Sequence, residues 1–202
     1  MKNAPLTLTL AIAFLVPAHC PADTDEAIAE IRRWYAELAE LGTSVKTSWD
    51  LKDPEGPLEG EITVSHHTSK ETKNTQSKVF LSYVASDHGG ADETYHFGPD
   101  GLYFALIVEY SWRFGGEPDK DGNPGTIDAL TETRLYFKGG KCIHKLVRSA
   151  EADDQKKLGK LIQTKKNKAV KPGQKATETF RKGLALKGAS SAAEVVQLLL
   201  FP

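Results

Sequence analysis

The chain has 202 residues, of which 40% are hydrophobic and 26% charged, with a formal net charge of −1. These values are ordinary for a soluble globular protein and allow one domain with a core, or a domain plus an appendage. The total charge conceals an asymmetry, because residues 19–149 carry 14 Lys/Arg against 22 Asp/Glu, whereas residues 150–202 carry 11 against 5. We therefore expect the basic C-terminal part to pack over the acidic body or to meet an external anionic surface.

Residues 1–18 have the pattern of an export signal. Lys2 supplies a positive charge, an apolar run of eleven residues follows, and residues 16–18 place small side chains at the −3 and −1 positions of a signal-peptidase site. The run is too short to span a bilayer, which takes about 20 residues. The sequence predicts cleavage before His19 and a periplasmic or secreted protein. His19 argues against lipid anchoring at Cys20, because a lipobox has a small residue at that position.

The mature chain is predicted to begin with a helix over residues 25–41. Its apolar face follows helical spacing and consists of Ile28, Ile31, Tyr35 and Leu38. The period of hydrophobicity then changes to two, which predicts half-buried strands. These strands cover residues 45–51, 61–67, 78–86, 94–97 and 102–112.

Two hairpins of similar sequence follow one another, at residues 93–104 and 132–143. Each has an aromatic-rich strand, a glycine turn and a second apolar strand. Two copies are too few for a repeat solenoid and suit successive hairpins of one antiparallel meander. The predicted fold class is therefore α+β: an N-terminal helix on a meander of about six strands over residues 19–149, followed by a basic helical appendage over residues 150–202.

The appendage is predicted to contain helices over residues 153–163, 174–186 and 191–201, with a basic linker at 165–173. Ser191 and Glu194 form a capping box for the last helix, whose apolar run is too short to cross a membrane. Lysines in this part could bind an anionic envelope surface, and export argues against nucleic acid as the partner. They are Lys156, Lys157, Lys160, Lys165, Lys166, Lys168, Lys171 and Lys175.

Several short motifs resemble those of a family of uncharacterised bacterial envelope proteins. They are Ile31-Arg32-x-x-Tyr35 in the helix, G-E-I-T at residues 60–63, E-T-Y-H-F at 93–97 and R-L-Y-F at 134–137. That family combines an I-R-x-x-Y helix with meandering hairpins of the form E-x-Y-Y-F-x-x-G-K-L-x-F. The resemblance covers about residues 28–148 and implies a helix plus an antiparallel sheet, with no activity attached.

The clearest ligand-like motif lies between two predicted strands and comprises Asp119, Asp121, Asn123 and Asp128. Oxygen donors at alternate positions of a tight loop suit Ca²⁺. An EF-hand requires glycine at its sixth position and glutamate at its twelfth, and counting from Asp119 the chain has Pro124 and Leu130 there. A solvated loop is the favoured alternative, because turns use the same residues. No other cofactor is predicted.

A zinc site is a second hypothesis. His96 and His144 lie on the two similar hairpins and could meet across the sheet beside Glu93 or Glu109. The spacing does not enforce such a meeting, and histidines on a sheet surface are the alternative. The chain contains no G-x-S-x-G nucleophile elbow.

Only two cysteines occur, Cys20 and Cys142. In an oxidising compartment they could form a disulfide that closes a loop of more than 100 residues. The alternative is a buried, apolar Cys142.

The functional hypothesis that follows is a non-enzymatic cell-envelope protein that binds a ligand or partner protein on its sheet face. The alternatives are an adhesion module that uses residues 150–202 on an anionic envelope surface, and a metal-dependent hydrolase that uses His96, His144 and a carboxylate.

Overall fold

A computed structural model of the chain describes residues 21–41, 43–68, 75–118 and 121–201. The predicted signal segment, Cys20 and Asp119 lie outside these residues. The elements follow the order α1 (Pro21–Glu40), β1 (Thr43–Lys52), β2 (Glu59–Thr68), β3 (Thr75–Ser86), β4 (Gly89–Gly98), β5 (Gly101–Gly116), β6 (Gly125–Lys138), β7 (Lys141–Ala152), α2 (Gln155–Thr164), β8 (Lys168–Ala169), α3 (Gln174–Gly188) and α4 (Ala192–Leu200). The predicted α+β class is confirmed: a helix, an antiparallel meander and C-terminal helices.

In the described ranges the sheet has eight strands in the order of the chain, each antiparallel to its neighbour. The sequence predicted about six. One addition is β8, a two-residue strand within the predicted basic linker, whose residues pair with Leu146 and Val147 of β7. The neighbouring Val170 extends this contact, since its N–H donates to the carbonyl of Lys145 at 3.0 Å.

Helices cover both faces of the sheet. On one, which we call the α1 face, Ile28 and Ile31 of α1 pack against Phe104 and Tyr136. Leu130 of β6 and Ala150 of β7 are register partners on this same face, and they pack with Leu158 and Ile162 of α2. A bulge opposite His96 and Phe97 leaves Tyr103 without a register partner and lets it join Phe104 in the α1 cluster.

The opposite face, which we call the α3 face, carries the larger core. Strand residues such as Ile62, Leu81 and Tyr95 form one cluster with residues from the last two helices. The helical members of that cluster are Ala176, Leu186, Val195 and Val196. The helices of residues 174–200 therefore bury apolar surface against the sheet, which is the main favourable contribution to such packing.

The starts of α2 and α4 are fixed by local side-chain hydrogen bonds. The Asp154 carboxylate accepts from the N–H groups of Lys156 and Lys157 at the start of α2. At α4, the Ser191 hydroxyl accepts from the Glu194 N–H, while the Glu194 carboxylate accepts from the N–H of Ser190. No helix in the described ranges is both long and apolar enough to cross a membrane.

Two helical glycines provide a matched test of how α3 seats on the sheet. A Cβ at Gly183 of α3 would lie 2.5 Å from a ring carbon of the fully buried Tyr95, whereas a Cβ at Gly159 of α2 meets no atom within 4 Å. Alanine is favoured over glycine in a helix by about 1 kcal/mol. We expect Gly159→Ala to stabilise the protein by up to about 1 kcal/mol and Gly183→Ala to destabilise it by about 1–3 kcal/mol through overpacking. Urea unfolding measures both, and a stabilising Gly183→Ala would contradict the tight seating of α3.

Candidate ligand-binding cavity

A cavity of about 860 Å³ lies between the α3 face of the sheet and helix α3. Strands β3 to β7 form its floor, α3 forms one wall, and Leu198 and Phe201 line one side. A second cavity in the described part of the chain, of about 560 Å³, is smaller and is lined by residues of the last two helices and the segments beside them.

The floor of the cavity follows from strand alternation. Ile107 pairs with Thr133, and Thr133 pairs with Val147, so their side chains form one row across three strands. Leu135 and Lys145 form the adjacent pair on the same face. The floor therefore combines aliphatic groups and hydroxyls, with one lysine at its β7 side.

A buried carboxylate, Glu93, stands at the edge of this floor with 5% of its surface exposed. It accepts hydrogen bonds from the Tyr95 hydroxyl at 2.5 Å, the Tyr83 hydroxyl at 3.2 Å and the Lys182 ammonium of α3 at 2.7 Å. The Lys182 ammonium also lies 5.0 Å from the centre of the Tyr83 ring. Three donors and one full positive charge thus compensate the burial of the carboxylate.

The two tyrosines remain protonated in this environment. Burial raises the pKa of both Tyr83 and Tyr95 above its ordinary value, and the negative charge of Glu93 raises each further. Their hydroxyls therefore serve as donors to Glu93 over the whole physiological range. The salt bridge of the cluster joins α3 to β4, and the hydrogen bond from Tyr83 joins β3 to the same carboxylate.

Positive charge remains around the cavity after its ion pairs are counted. Lys175 of α3 pairs with Glu109 of β5 at 2.8 Å, and Lys182 pairs with Glu93. Lys145 and Arg181 also line the cavity, and within the described ranges neither makes an ion pair. The remaining acid in the lining is Glu178, which is exposed and accepts from the Gln174 side chain. The cavity wall can therefore attract an anionic group.

The histidines proposed for zinc do not come together. His96 pairs with Phe104, Phe104 with Tyr136, and Tyr136 with His144, so the two imidazoles occupy the ends of a four-strand row on the α1 face. The strand spacing places them about 14 Å apart, with two aromatic rings between them. In the described part of the chain, no group of three or more histidine, cysteine, aspartate or glutamate residues is arranged to hold a metal ion.

The residues of the predicted calcium loop lie near the connection from β5 to β6. Asp121 and Asn123 precede β6, and Asp128 lies within β6 opposite Trp112. With Asp119 outside the described residues, calcium binding by this segment stays a prediction.

Cys142 lies in β7, half-buried. Its thiol donates to the carbonyl of His144 at 3.4 Å, and burial raises the pKa of the thiol. Its predicted disulfide partner lies outside the described residues, so the disulfide also stays a prediction.

Sequence reasoning missed the pairing of Glu93 with Lys182. The sequence contained a signal, because Ala91, Glu93 and Tyr95 occupy alternate positions of one strand and so share a face. The structure buries all three. A carboxylate on an otherwise apolar strand face requires a compensating cation. The pattern does not say which of the chain's 26 Lys and Arg residues supplies it.

Comparison of the chain with family models, with curated proteins and with solved structures finds no match. The resemblance to the envelope protein family therefore stays a prediction.

The buried His96 makes stability depend on pH. Burial, together with the charges of Lys78 and His67, lowers its pKa from 6.5 to about 3. The ring is neutral in the folded state and protonates more readily in the unfolded state. It therefore contributes stability above pH 6.5 that is lost as the pH falls toward 3. Between about pH 7 and pH 4 the titration of His96 lowers the free energy of unfolding by up to about 3 kcal/mol. We expect His96→Leu to abolish this part of the loss.

Unfolding by urea across that pH range measures the effect. His88→Gln is the control, because His88 is exposed and its ring lies against the Trp112 ring. If the free energy of unfolding of His96→Leu falls with pH as steeply as that of the parent protein, His96 is not the buried neutral group that causes the loss.

Proposed function

We propose that the protein is an exported, non-enzymatic binding protein whose cavity holds an amphiphile with an apolar chain and an anionic group. The observation that carries this proposal is the composition of the cavity. The aliphatic side chains of its floor, Ile107, Leu135 and Val147, lie near Lys145 and Arg181, two cations without ion-pair partners in the described chain. An apolar segment would lie on the floor, and its anionic end would lie beside these cations.

The size of the cavity supports a small ligand. Ligand pockets in proteins commonly measure about 300–1,000 Å³ and combine an apolar lining with a few polar groups. The cavity here has about 860 Å³. Leu198 and Phe201 add apolar surface from the C-terminal end of the described chain, so that sheet, α3 and the end of α4 would surround the bound molecule.

The ionisable cluster in the cavity suits binding better than proton transfer. Glu93 already accepts from three donors, and the raised pKa values of Tyr83 and Tyr95 keep their protons in place. A general base needs a free lone pair directed at the substrate and a pKa near the working pH. The cluster instead holds α3 in position as a wall.

Paired probes test the proposal. We expect dodecanoate to bind the purified protein in isothermal titration calorimetry at least about tenfold more tightly than dodecanol, which has the same chain without the charge. Lys145→Ala combined with Arg181→Ala should lower the affinity for dodecanoate toward that for dodecanol. Lys141→Ala is the matched control, because Lys141 is an exposed residue of the same strand and does not line the cavity.

Thr133→Phe locates the site, because the ring would fill the floor between Ile107 and Val147. We expect this variant to lose both probes while retaining its fold by circular dichroism. The proposal is contradicted if neither probe binds the parent protein, or if binding survives in Thr133→Phe.

A second candidate function is attachment to an anionic envelope surface. Its support is a group of exposed lysines on and after α2, which within the described ranges make no ion pairs: Lys156, Lys160, Lys165, Lys166, Lys168 and Lys171. Such a group attracts acidic headgroups by about 1 kcal/mol per charge near the surface.

Vesicle flotation tests this candidate. We expect binding to phosphatidylglycerol vesicles and not to phosphatidylcholine vesicles, with the bound fraction falling steeply as salt rises. Changing the six lysines to glutamine should abolish flotation and leave dodecanoate binding intact. Equal flotation with both lipids would rule out an electrostatic attachment.

A further inference from the structure

Strand β1 forms a free edge of the sheet. Within the described residues, β2 is the only strand that pairs with it, and no backbone hydrogen bond from another segment reaches its outer side. Its ten residues contain no proline. Val45 is 56% exposed on this strand. On the same face, Trp49 four positions further packs against the core and Leu51 six positions further belongs to it. An edge of this kind can pair with another strand.

The charges on β1 are not compensated within the chain. Asp50 is the register partner of Glu61 on β2, which places two like charges opposite each other. Lys46 is opposite Ser65. In the described chain neither Lys46 nor Asp50 makes an ion pair, whereas Lys52 at the end of the strand pairs with Glu59 at 3.5 Å. Like charges at opposite positions of an antiparallel pair are destabilising.

We propose that β1 pairs with β1 of a second copy of this chain, antiparallel and centred on Ser48. In this register Lys46 of each copy is opposite Asp50 of the other, so two ion pairs form and each offsets the repulsion between Asp50 and Glu61. On the other face, Val45 lies opposite Leu51 and Thr47 lies opposite Trp49. The exposed Val45 gains an apolar partner, and the two sheets join into one of sixteen strands.

Symmetry selects this register from its neighbours. A two-fold axis through an antiparallel strand pair maps each sheet face onto itself, so opposite residues must lie on the same face. One strand can therefore slide along the other only in steps of two residues. A shift in one direction places Lys46 opposite Lys52, which is repulsive. A shift in the other direction places Lys46 opposite Ser48, which forms no ion pair. The register centred on Ser48 is thus favoured by charge.

Sedimentation velocity over about 1–200 µM tests the pairing, because the dimer fraction follows mass action. We expect a monomer–dimer equilibrium in the purified protein. Lys46→Asp alone and Asp50→Lys alone should each raise the dissociation constant at least about tenfold, since each places like charges opposite one another twice. The double variant, with both changes, restores the opposite-charge pairs and should dimerise like the parent. Lys141→Asp, at an exposed position of β7, is the control and should change nothing.

An oxidative crosslink tests the register itself. Ser48→Cys places the two introduced thiols opposite each other at the axis, at the Cα separation of an antiparallel pair, which a disulfide accommodates. Peptide mapping should find the bond between the two copies of position 48. A monomer at all concentrations, a dimer indifferent to the charge changes, or a double variant that fails to restore it would overturn the proposal.

Discussion

Burial of the Glu93 carboxylate is the constraint on which the arrangement of the C-terminal half depends. A charge in that position is tolerated only with a cation and further donors around it, because transfer from water to the interior costs several kcal/mol when uncompensated. Tyr83 and Tyr95 supply donors from the sheet itself, but the cation is Lys182 of α3, 89 residues away in sequence. The position of α3 is thereby fixed along the strands as well as above them. Gly183, next to this lysine, lets the helix backbone approach the Tyr95 ring.

The uneven polarity of the α3 face explains why a cavity persists beside a well-packed core. Where α3 carries Ala176, Gly183 and Leu186, it contacts the sheet closely and buries apolar surface. Toward β6 and β7 the floor carries Thr131, Thr133 and Lys145, which are only partly buried. Polar groups there keep access to water, so complete closure of the helix onto these strands would leave them without partners. The result is a tight contact on one side of α3 and open volume on the other.

Most of the fold could be predicted from the sequence, because the local patterns agree with one another. Alternation specified the strands, the glycine turn at residues 98–101 specified a hairpin, and Ser191 marked the start of the last helix. The count of strands was less predictable, since β8 has two residues and exists only through its pairing with β7. The candidate site was less predictable still. Its floor comes from strands of one meander, but Lys182 and Arg181 come from a helix whose position over those strands no local pattern specifies. The zinc hypothesis did not anticipate the separation of the two histidines, because similar hairpins need not be adjacent strands.

The sequential strand order has a consequence for how the chain reaches its native state. Every pairing from β1 to β7 joins neighbours in sequence, so each hairpin can close over a short loop at a small entropic cost. The residues of α3 and α4 come after all of these strands. Until they dock, Leu81, Tyr95, Leu135 and the rest of the α3 face are exposed to water as a broad apolar surface. The nascent sheet is consequently most vulnerable to aggregation late in folding, when the strands are paired and their cover is still absent.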